Sequence, residues 1–424
     1  MRVAIVGDAF PPMRTSAAVQ LRDLAIEFKN QGHEVTVIVP AADLPGTWTI
    51  DTYEGVTLLR LRAPKTKDIG YARRTLAEFA MPFAMLRNYK KSPLASSKWH
   101  GVVWYSPSIF FGPFVNFLKK RSNCSSYLIL RDIFPEWAVD MGVMGRGLPY
   151  RCFKMVESYQ YSVADVIGVQ TPANIAYFSN RKQHKAHIEV LQNWLAPAPA
   201  RGCSIEVEKT ALQDRFVFVY AGNMGRAQGL DIVVALANKL RERSDIGFLL
   251  VGRGSETARL RASVDALRLD NVLFFDEIDP VEIAGLYKQC RAGLISLDHR
   301  HRTHNIPGKF LSYMHAGLPV LASVNKGNDL IKLINENRVG FAASGNDADE
   351  LAKLAVRLVD DHKDDVSMSK HCLDLAGRLF SSEAAVERLC KSLGRQRAAE
   401  REDEAALAEA RALPDPLRLQ EEEV

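Results

Sequence analysis

FVFVYAGNMGRAQGLDIVVALANKLRER, residues Phe216–Arg243, decides the fold. Its first six residues, Phe216 to Ala221, form the near-continuous apolar run of a parallel strand covered on both faces. Glycines then turn the chain, and Leu230 to Arg243 carry helical spacing. The unit recurs downstream. Strands are predicted at Phe248–Val251, Val272–Phe275, Gly293–Leu297 and Pro319–Ala322, and helices at Glu256–Leu269, Pro280–Cys290, Gly308–Ala316 and Asn328–Glu336. Such alternation builds an α/β domain on a parallel sheet, expected over residues 205–379.

Upstream the same rhythm is already present. Val3–Val6 is a buried strand ending in Gly7-Asp8, and the loop FPPMRT leads to a helix with Ser16 as its expected N-cap. In that helix Leu21, Leu24, Ala25 and Phe28 share one face, and Gly32 supplies the stop. Val35–Val39, Gly101–Tyr105, Tyr127–Leu130 and Val166–Val169 are the further strands of a domain over residues 1–195. Between the domains APAPARGCS, Ala196–Ser204, stops both patterns and reads as a linker. Two doubly wound domains in tandem predict a cleft where the carboxyl ends of two parallel sheets face each other, and ligands bind at such ends.

Composition narrows the function. A chain of 424 residues with 47% apolar content can bury two cores, and 25% charged residues mark an ordinary globular body. The excess of 55 lysines and arginines over 50 acids is only +5, without the basic stripe of a nucleic-acid binder. Cys124, Cys152, Cys203, Cys290, Cys372 and Cys390 lie far apart with no CxxC spacing, so core thiols are expected rather than a zinc or redox site. MRVAIVGDAFPP is too short an apolar run for a signal-peptide core, no stretch approaches a membrane span, and a cytoplasmic location is expected. From Arg395 the tail holds five basic and nine acidic residues, and is expected to be a solvated helix followed by disorder, or a partner-binding tail.

Several loops carry residue types suited to chemistry. Ser16 and Ala17 open a helix at its positive end, where an anion or a sugar hydroxyl can dock; an ordinary helix cap is the alternative. In RDIFPEWAVDMG, Arg131, Asp132 and Glu136 follow a strand, and a carboxylate there can orient or deprotonate an acceptor hydroxyl. A local ion pair is the competing explanation. YAGNMGRAQGLD and VGRGSE place glycines with Arg226 and Arg253 in consecutive βα loops, an arrangement whose backbone amides can cradle phosphate. GxGxxG is missing from the first loop, which argues against a dehydrogenase. DHRHRTHNIPGKF gathers His299, His301 and His304 with Arg300, Arg302 and Lys309 at a helix entrance; interleaved cations fit a diphosphate better than a metal ion. Residues Arg73–Lys91 set Leu76, Phe79, Phe83 and Leu86 on one helical face between basic pairs, which suits either an anionic membrane surface or packing on its own domain.

In order and spacing the chain resembles glycosyltransferases of the two-domain GT-B fold, family 4, in particular their WbuB-type branch from bacterial surface-polysaccharide synthesis. The likeness spans Met1 to about Leu393 and rests on FPP, GHEVTVI, Ser106-Pro107, RDIFPE, ADVIGVQT, VLQNW, YAGNMGRAQGL and PGKFLSYMHAGLPVLA. It implies two Rossmann-like domains facing a central cleft, with a helix at about 380–394 crossing back to the first. It also implies retaining, metal-independent transfer of a sugar from a nucleotide-diphosphate donor, with no further cofactor. The acceptor would be a saccharide or lipid-linked glycan at the inner face of the cell membrane. Asp132, Arg226 and Lys309 would be catalytic. Gly222, Asn223, Gly225, Gln228, Arg253, Asn305 and Ser312 would hold the donor, and Ser16, Ala17 and Glu136 the acceptor.

Three departures qualify the likeness. Relatives often carry a double glycine where Ser16 and Ala17 stand, two glutamates where His304 and Ser312 stand, and a basic pair where Asn223 and Gln228 stand. Losing one charged contact costs about 1.5–3 kcal/mol, so the departures leave two alternatives beside an active transferase. One is a non-catalytic GT-B scaffold or regulatory subunit, the other a sugar-nucleotide epimerase.

Overall fold

The hydrophobic runs assemble into two separate sheets in the computed structural model, which describes all residues except 14, 68, 141, 180–184, 198, 299–305, 365–366 and 396–424. The first sheet contains β1 (Arg2–Val6), β2 (Glu34–Ala41), β3 (Trp48–Tyr53), β4 (Val56–Arg62), β5 (Gly101–Tyr105), β6 (Ser125–Leu130), β7 (Val166–Val169) and β8 (His187–Val190). Their order is β3-β4-β2-β1-β5-β6-β7-β8, parallel except for the β3–β4 hairpin. The second sheet contains β9 (Phe216–Ala221), β10 (Ile246–Val251), β11 (Val272–Phe275), β12 (Ala292–Ser296), β13 (Val320–Val324) and β14 (Gly340–Ser344) in the order β11-β10-β9-β12-β13-β14. All of its pairs are parallel. Strand order reverses beside β1 and β9, so the crevices between β1 and β5 and between β9 and β12 are the switch points where ligands enter such sheets.

Helices cover both faces of each sheet. In the first domain these are α1 (Ser16–Asn30), α2 (Tyr71–Tyr89), α3 (Gly112–Ser122), α4 (Glu136–Asp140), α5 (Leu148–Val163) and α6 (Pro172–Ser179). In the second they are α7 (Asp231–Lys239), α8 (Thr257–Leu267), α9 (Ile283–Tyr287), α10 (Gly308–His315), α11 (Asp329–Asn337), α12 (Ala348–Asp364) and α13 (Ser367–Leu379). Alternation along β1 divides its burial: Val3 and Ile5 join Leu21, Leu24 and Phe28 of α1, whereas Ala4 and Val6 join Met81, Met85 and Phe114 on the opposite face.

A last helix, α14 (382–395), returns to the first domain, as the resemblance implied. Its Val386, Leu389 and Leu393 are buried with Val3, Ile5 and Trp194. Gly101 makes room for it, since a Cβ there would sit 2.8 Å from Leu393 Cδ1. The two passages between domains touch each other, with Leu195 N donating to Phe380 O at 2.9 Å. Across the cleft, Ala173 N donates to Asp329 Oδ2 at 3.0 Å, so the first turn of α6, after β7, meets the start of α11, after β13. The carboxyl ends of the two sheets therefore face one another.

Two local expectations change. Thr15, not Ser16, caps α1, its hydroxyl accepting from Ala18 N at 3.3 Å, and Ser16 is the exposed first residue of the helix. In α2 the packed face is Met81, Pro82, Met85 and Tyr89, while Leu76 and Phe83 stand 71% and 60% exposed. Helical spacing had placed Leu76 and Phe83 on the same face as Phe79 and Leu86, which are only partly buried. The acidic tail beyond residue 395 lies outside the described residues.

Candidate functional site

On the second domain, three chain segments converge at the carboxyl ends of β9 and β10. Gly222 N donates to Val251 O at 2.8 Å, Met224 N to Arg253 O at 2.8 Å, and Glu256 N to Met224 O at 3.0 Å. The loops are thus zipped together. A Cβ on Gly252, at φ +138°, would lie 2.1 Å from Gly222 O, and one on Gly222, at φ +136°, would lie 2.9 Å from Lys309 Cε. Close loop packing, beyond any ligand, is what these two glycines serve.

Lys309 enters this cluster from the first turn of α10. Its Nζ stands 4.6 Å from the centroid of the Tyr220 ring, and Tyr220 is fixed by donating its hydroxyl to Asn223 O at 2.6 Å. No carboxylate pairs with Lys309 among the described residues, and burial pushes its ammonium down to about 8. The amine lies at a helix N-terminus, so positive potential accumulates where no protein anion answers it. An incoming phosphate would supply the missing charge.

The other expected donor residues sit nearby in different states. Arg226 opens a 3-10 turn (Arg226–Gln228); its Nε lies 3.3 Å from Glu256 Oε1, and its side chain is 87% exposed. Arg253 Nε lies 2.8 Å from Glu277 Oε2, with 83% of the side chain exposed. Each arginine therefore already has a glutamate at the rim. Gln228 is held through its carbonyl, which accepts from Ser296 Oγ at 2.6 Å. Asn223 is exposed on the loop, and the Gly225 backbone passes against its amide. Ser312, one turn beyond Lys309, donates back to Gly308 O at 3.3 Å. Asn305, the three histidines, Arg300 and Arg302 lie outside the described residues.

Sequence reasoning passed over Tyr220 and Asp298. Tyr220 ends β9, where an aromatic residue looks like ordinary strand packing. Asp298 follows β12; its N donates to Ala227 O at 3.1 Å, and its Cα would lie 3.1 Å from a Cβ on Gly229. Backbone contact there closes the 3-10 turn against β12.

The first domain supplies the opposite wall. Asp132 follows β6, and burial raises its carboxyl from its ordinary value while the Arg131 charge opposes that rise. Asp8, at the end of β1 and unforeseen from the sequence, lies 3.5 Å from Lys67 Nζ. Ser16 is exposed and Ala17 half-buried at the start of α1. Glu136 has a different setting. Its carboxylate accepts from Tyr150 at 3.0 Å and pairs with Lys154 Nζ at 3.0 Å, within a network that includes Tyr177 and the fully buried Glu157. That carboxylate is committed to holding α4 on α5 and α6.

Comparison with known proteins agrees with this architecture. Residues 215–361 match the family model "Glycosyl transferases group 1". WbjE of Pseudomonas aeruginosa is 24% identical over 233 residues, which cover 54% of this chain and 58% of WbjE. WcaI of Escherichia coli K12 is 24% identical over 305 residues, covering 65% of this chain and 71% of WcaI. Thus the chain spans little more than half of WbjE. Sucrose-phosphate synthase from Thermosynechococcus elongatus superposes at TM-score 0.68 and 17% identity, covering 94% of this chain and 99% of that one. Anabaena HepE, solved with UDP and glucose, superposes at 0.66 and 13% identity over 93% of this chain and 100% of its own. A glycosyl transferases group 1 domain at residues 215–361, on a two-domain GT-B frame, makes this chain a homologue of WbjE and WcaI.

Proposed function

We propose that this protein transfers a glycosyl group from a nucleoside diphosphate sugar to a saccharide or lipid-linked acceptor in bacterial surface-glycan synthesis. The observation that carries the reading is Lys309, half-buried at the head of α10 and unmatched by a carboxylate among the described residues. HepE binds UDP and glucose, and WcaI is named for glycosyl transfer in colanic acid biosynthesis; both support this reading.

In this scheme Lys309 and the α10 terminus neutralise the departing diphosphate, with Arg226 and Arg253 released from their glutamates to join them. Charge stabilisation by fixed cations lets the reaction run without a bound metal. A sugar held between the two sheets is attacked with retention of configuration, and the leaving diphosphate helps take the acceptor proton. Asp132 aligns the acceptor hydroxyl across the cleft.

The exposed apolar side chains of the first domain support peripheral attachment to a membrane surface. Leu76 and Phe83 on α2 protrude, as do Leu148, 80% exposed, and Met155 on α5, with Arg73, Arg74, Arg87 and Arg151 on the same two helices. Such a mixture binds an anionic lipid surface, which would bring a lipid-linked acceptor to the cleft. No helix among the described residues is long and apolar enough to cross a membrane.

The competing reading, a catalytically silent scaffold, draws on Ser312, whose hydroxyl is spent inside α10 where relatives carry a glutamate. A panel of nucleotide sugars assayed for nucleotide release, with and without a polyprenyl-phosphate-linked saccharide, separates the two. Turnover that survives EDTA and disappears in Lys309→Ala supports the transferase. No turnover across the panel overturns it in favour of the scaffold, and conversion of the sugar without nucleotide release points to an epimerase.

A further inference from the structure

A cation that is to meet a diphosphate has to be held in place without being neutralised, and the end of β9 does this with an aromatic ring. Lys309 and Tyr313 lie four residues apart on α10 and so share one face of that helix. The face meets two adjacent residues of β9. Tyr313 is fully buried and donates its hydroxyl to Val219 O at 3.0 Å, with Leu294 O of β12 3.3 Å away. Pairing of β9 with β12 joins Phe218 to Ala292 and Val219 to Gly293, so the Tyr313 hydroxyl bridges the two strands at the end of their ladder. Gly293 makes room for the ring, since a Cβ there would sit 2.4 Å from Tyr313 Cδ2, and the Tyr287 ring of α9 backs it at 4.9 Å.

With α10 pegged in this way, Lys309 Nζ comes to lie over the next residue of the strand, 4.6 Å from the centroid of the Tyr220 ring. Tyr220 is itself fully buried and tied to the glycine loop by the bond from its hydroxyl to Asn223 O, at 2.6 Å. Gly222 closes the other side, where a Cβ would lie 2.9 Å from Lys309 Cε and 3.1 Å from Nζ. The ammonium is thus seated between a π face and bare backbone. Arg226 and Arg253 show the alternative, for Glu256 and Glu277 hold them and must release them before either can serve an anion. An aromatic face attracts an ammonium through its quadrupole and leaves the net charge intact. Tyr313 and Tyr287, the other ionisable groups of this cluster, are phenols that burial pushes upward and keeps neutral.

We propose that Tyr220 is a positioning residue of the donor site, its ring seating the Lys309 ammonium for a diphosphate without supplying a negative charge that the diphosphate would have to displace. The inference rests on the donor role given to Lys309 above.

The test uses the full chain labelled with 13C at lysine ε-carbons, the Lys309 signal being assigned by its loss in Lys309→Arg. Tyr220→Phe keeps the π face and is expected to hold the Lys309 midpoint within a few tenths of a pH unit. Mono-, di- and trifluorinated phenylalanine at the same position weaken the face in steps at nearly constant size. The midpoint is expected to fall stepwise by about 1 pH unit in all, and affinity for UDP and for inorganic pyrophosphate at pH 7 to fall with it by about twofold or more. Tyr220→Leu, which removes the π face altogether, is the second variant if the fluorinated series does not fold. A lower melting temperature with an unmoved Lys309 midpoint means a tyrosine that only packs, and overturns the proposal. Tighter diphosphate binding as the face weakens overturns it too, because the ring would then compete with the ligand for the ammonium. The midpoint is read without nucleotide, so a wild-type protein that binds neither UDP nor pyrophosphate would sink the donor-site reading while leaving the contact between ring and ammonium measured.

Discussion

Lys309 makes a prediction that can be worked through in numbers. An ammonium that titrates at about 8 in the free protein is about nine-tenths charged at pH 7 and about one-tenth charged at pH 9. If only the charged form holds a diphosphate, UDP affinity falls about tenfold across that interval, or about 1.4 kcal/mol. Calorimetric titration with UDP from pH 6.5 to 9.5 measures the slope directly. Arg131 and the rim arginines stay charged throughout and contribute none of it. Lys309→Arg is the control, its guanidinium remaining charged, so its affinity should be weaker but flat with pH. Lys309→Met removes a charged contact, and about 1.5–3 kcal/mol of binding should go with it. The stability sign is opposite. A lysine whose folded value is depressed favours the neutral form in the fold, so its charge is a cost at neutral pH that is relieved as pH climbs from about 8 towards the unfolded value. Lys309→Met should therefore melt higher than the wild type at pH 7 while binding UDP less well. A wild-type slope as flat as that of Lys309→Arg would refute the buried-ammonium account.

Three further outcomes follow from packing. Gly252→Ala forces a Cβ to 2.1 Å from Gly222 O at φ +138°, so both loops must move, and chemical denaturation should show a loss of roughly 1–3 kcal/mol together with weaker UDP binding. Glu136→Gln should lower stability by about 1–3 kcal/mol through the loosened Lys154 network yet leave UDP affinity within twofold, whereas Asp132→Asn should spare stability and UDP binding and slow transfer. The double substitution Leu76→Ser and Phe83→Ser should change folding stability by less than about 0.5 kcal/mol, because both side chains already meet solvent, while sedimentation with phosphatidylglycerol vesicles declines.

The parallel strands were legible because burial on both faces leaves a single pattern. Phe216–Ala221 and Val166–Val169 could be placed from apolar runs alone. The β3–β4 hairpin was not. Its strand WTIDTY is half solvated and edge-lying, and its signal is the two-residue turn Glu54-Gly55, with φ +49° and +80°, between Tyr53 and Val56. Short β8 and β14 escaped for a related reason: five residues or fewer with mixed burial carry too little periodicity to separate from loop.

Site residues divide along another line, between what a position is and what it is already bonded to. Asp132 and Glu136 stand four residues apart in one motif, and nothing in their sequence distinguishes them. Folding does, because Tyr150 and Lys154 arrive from α5 and Tyr177 from α6 to occupy Glu136, while the carboxyl of Asp132 has the charge of Arg131 beside it and no ion pair among the described residues. Arg226 and Lys309 diverge in the same way. Glu256 reaches Arg226 from the N-cap of α8, but the walls around Lys309 are the Tyr220 ring and the Gly222 backbone, which offer no counter-charge. A cation matters to a ligand in proportion to the charge its own fold leaves unanswered. By that measure, in the proposed scheme, Lys309 would organise the donor side of the cleft and Asp132 the acceptor side, while Arg226 and Arg253 are paired with glutamates that a diphosphate would have to displace.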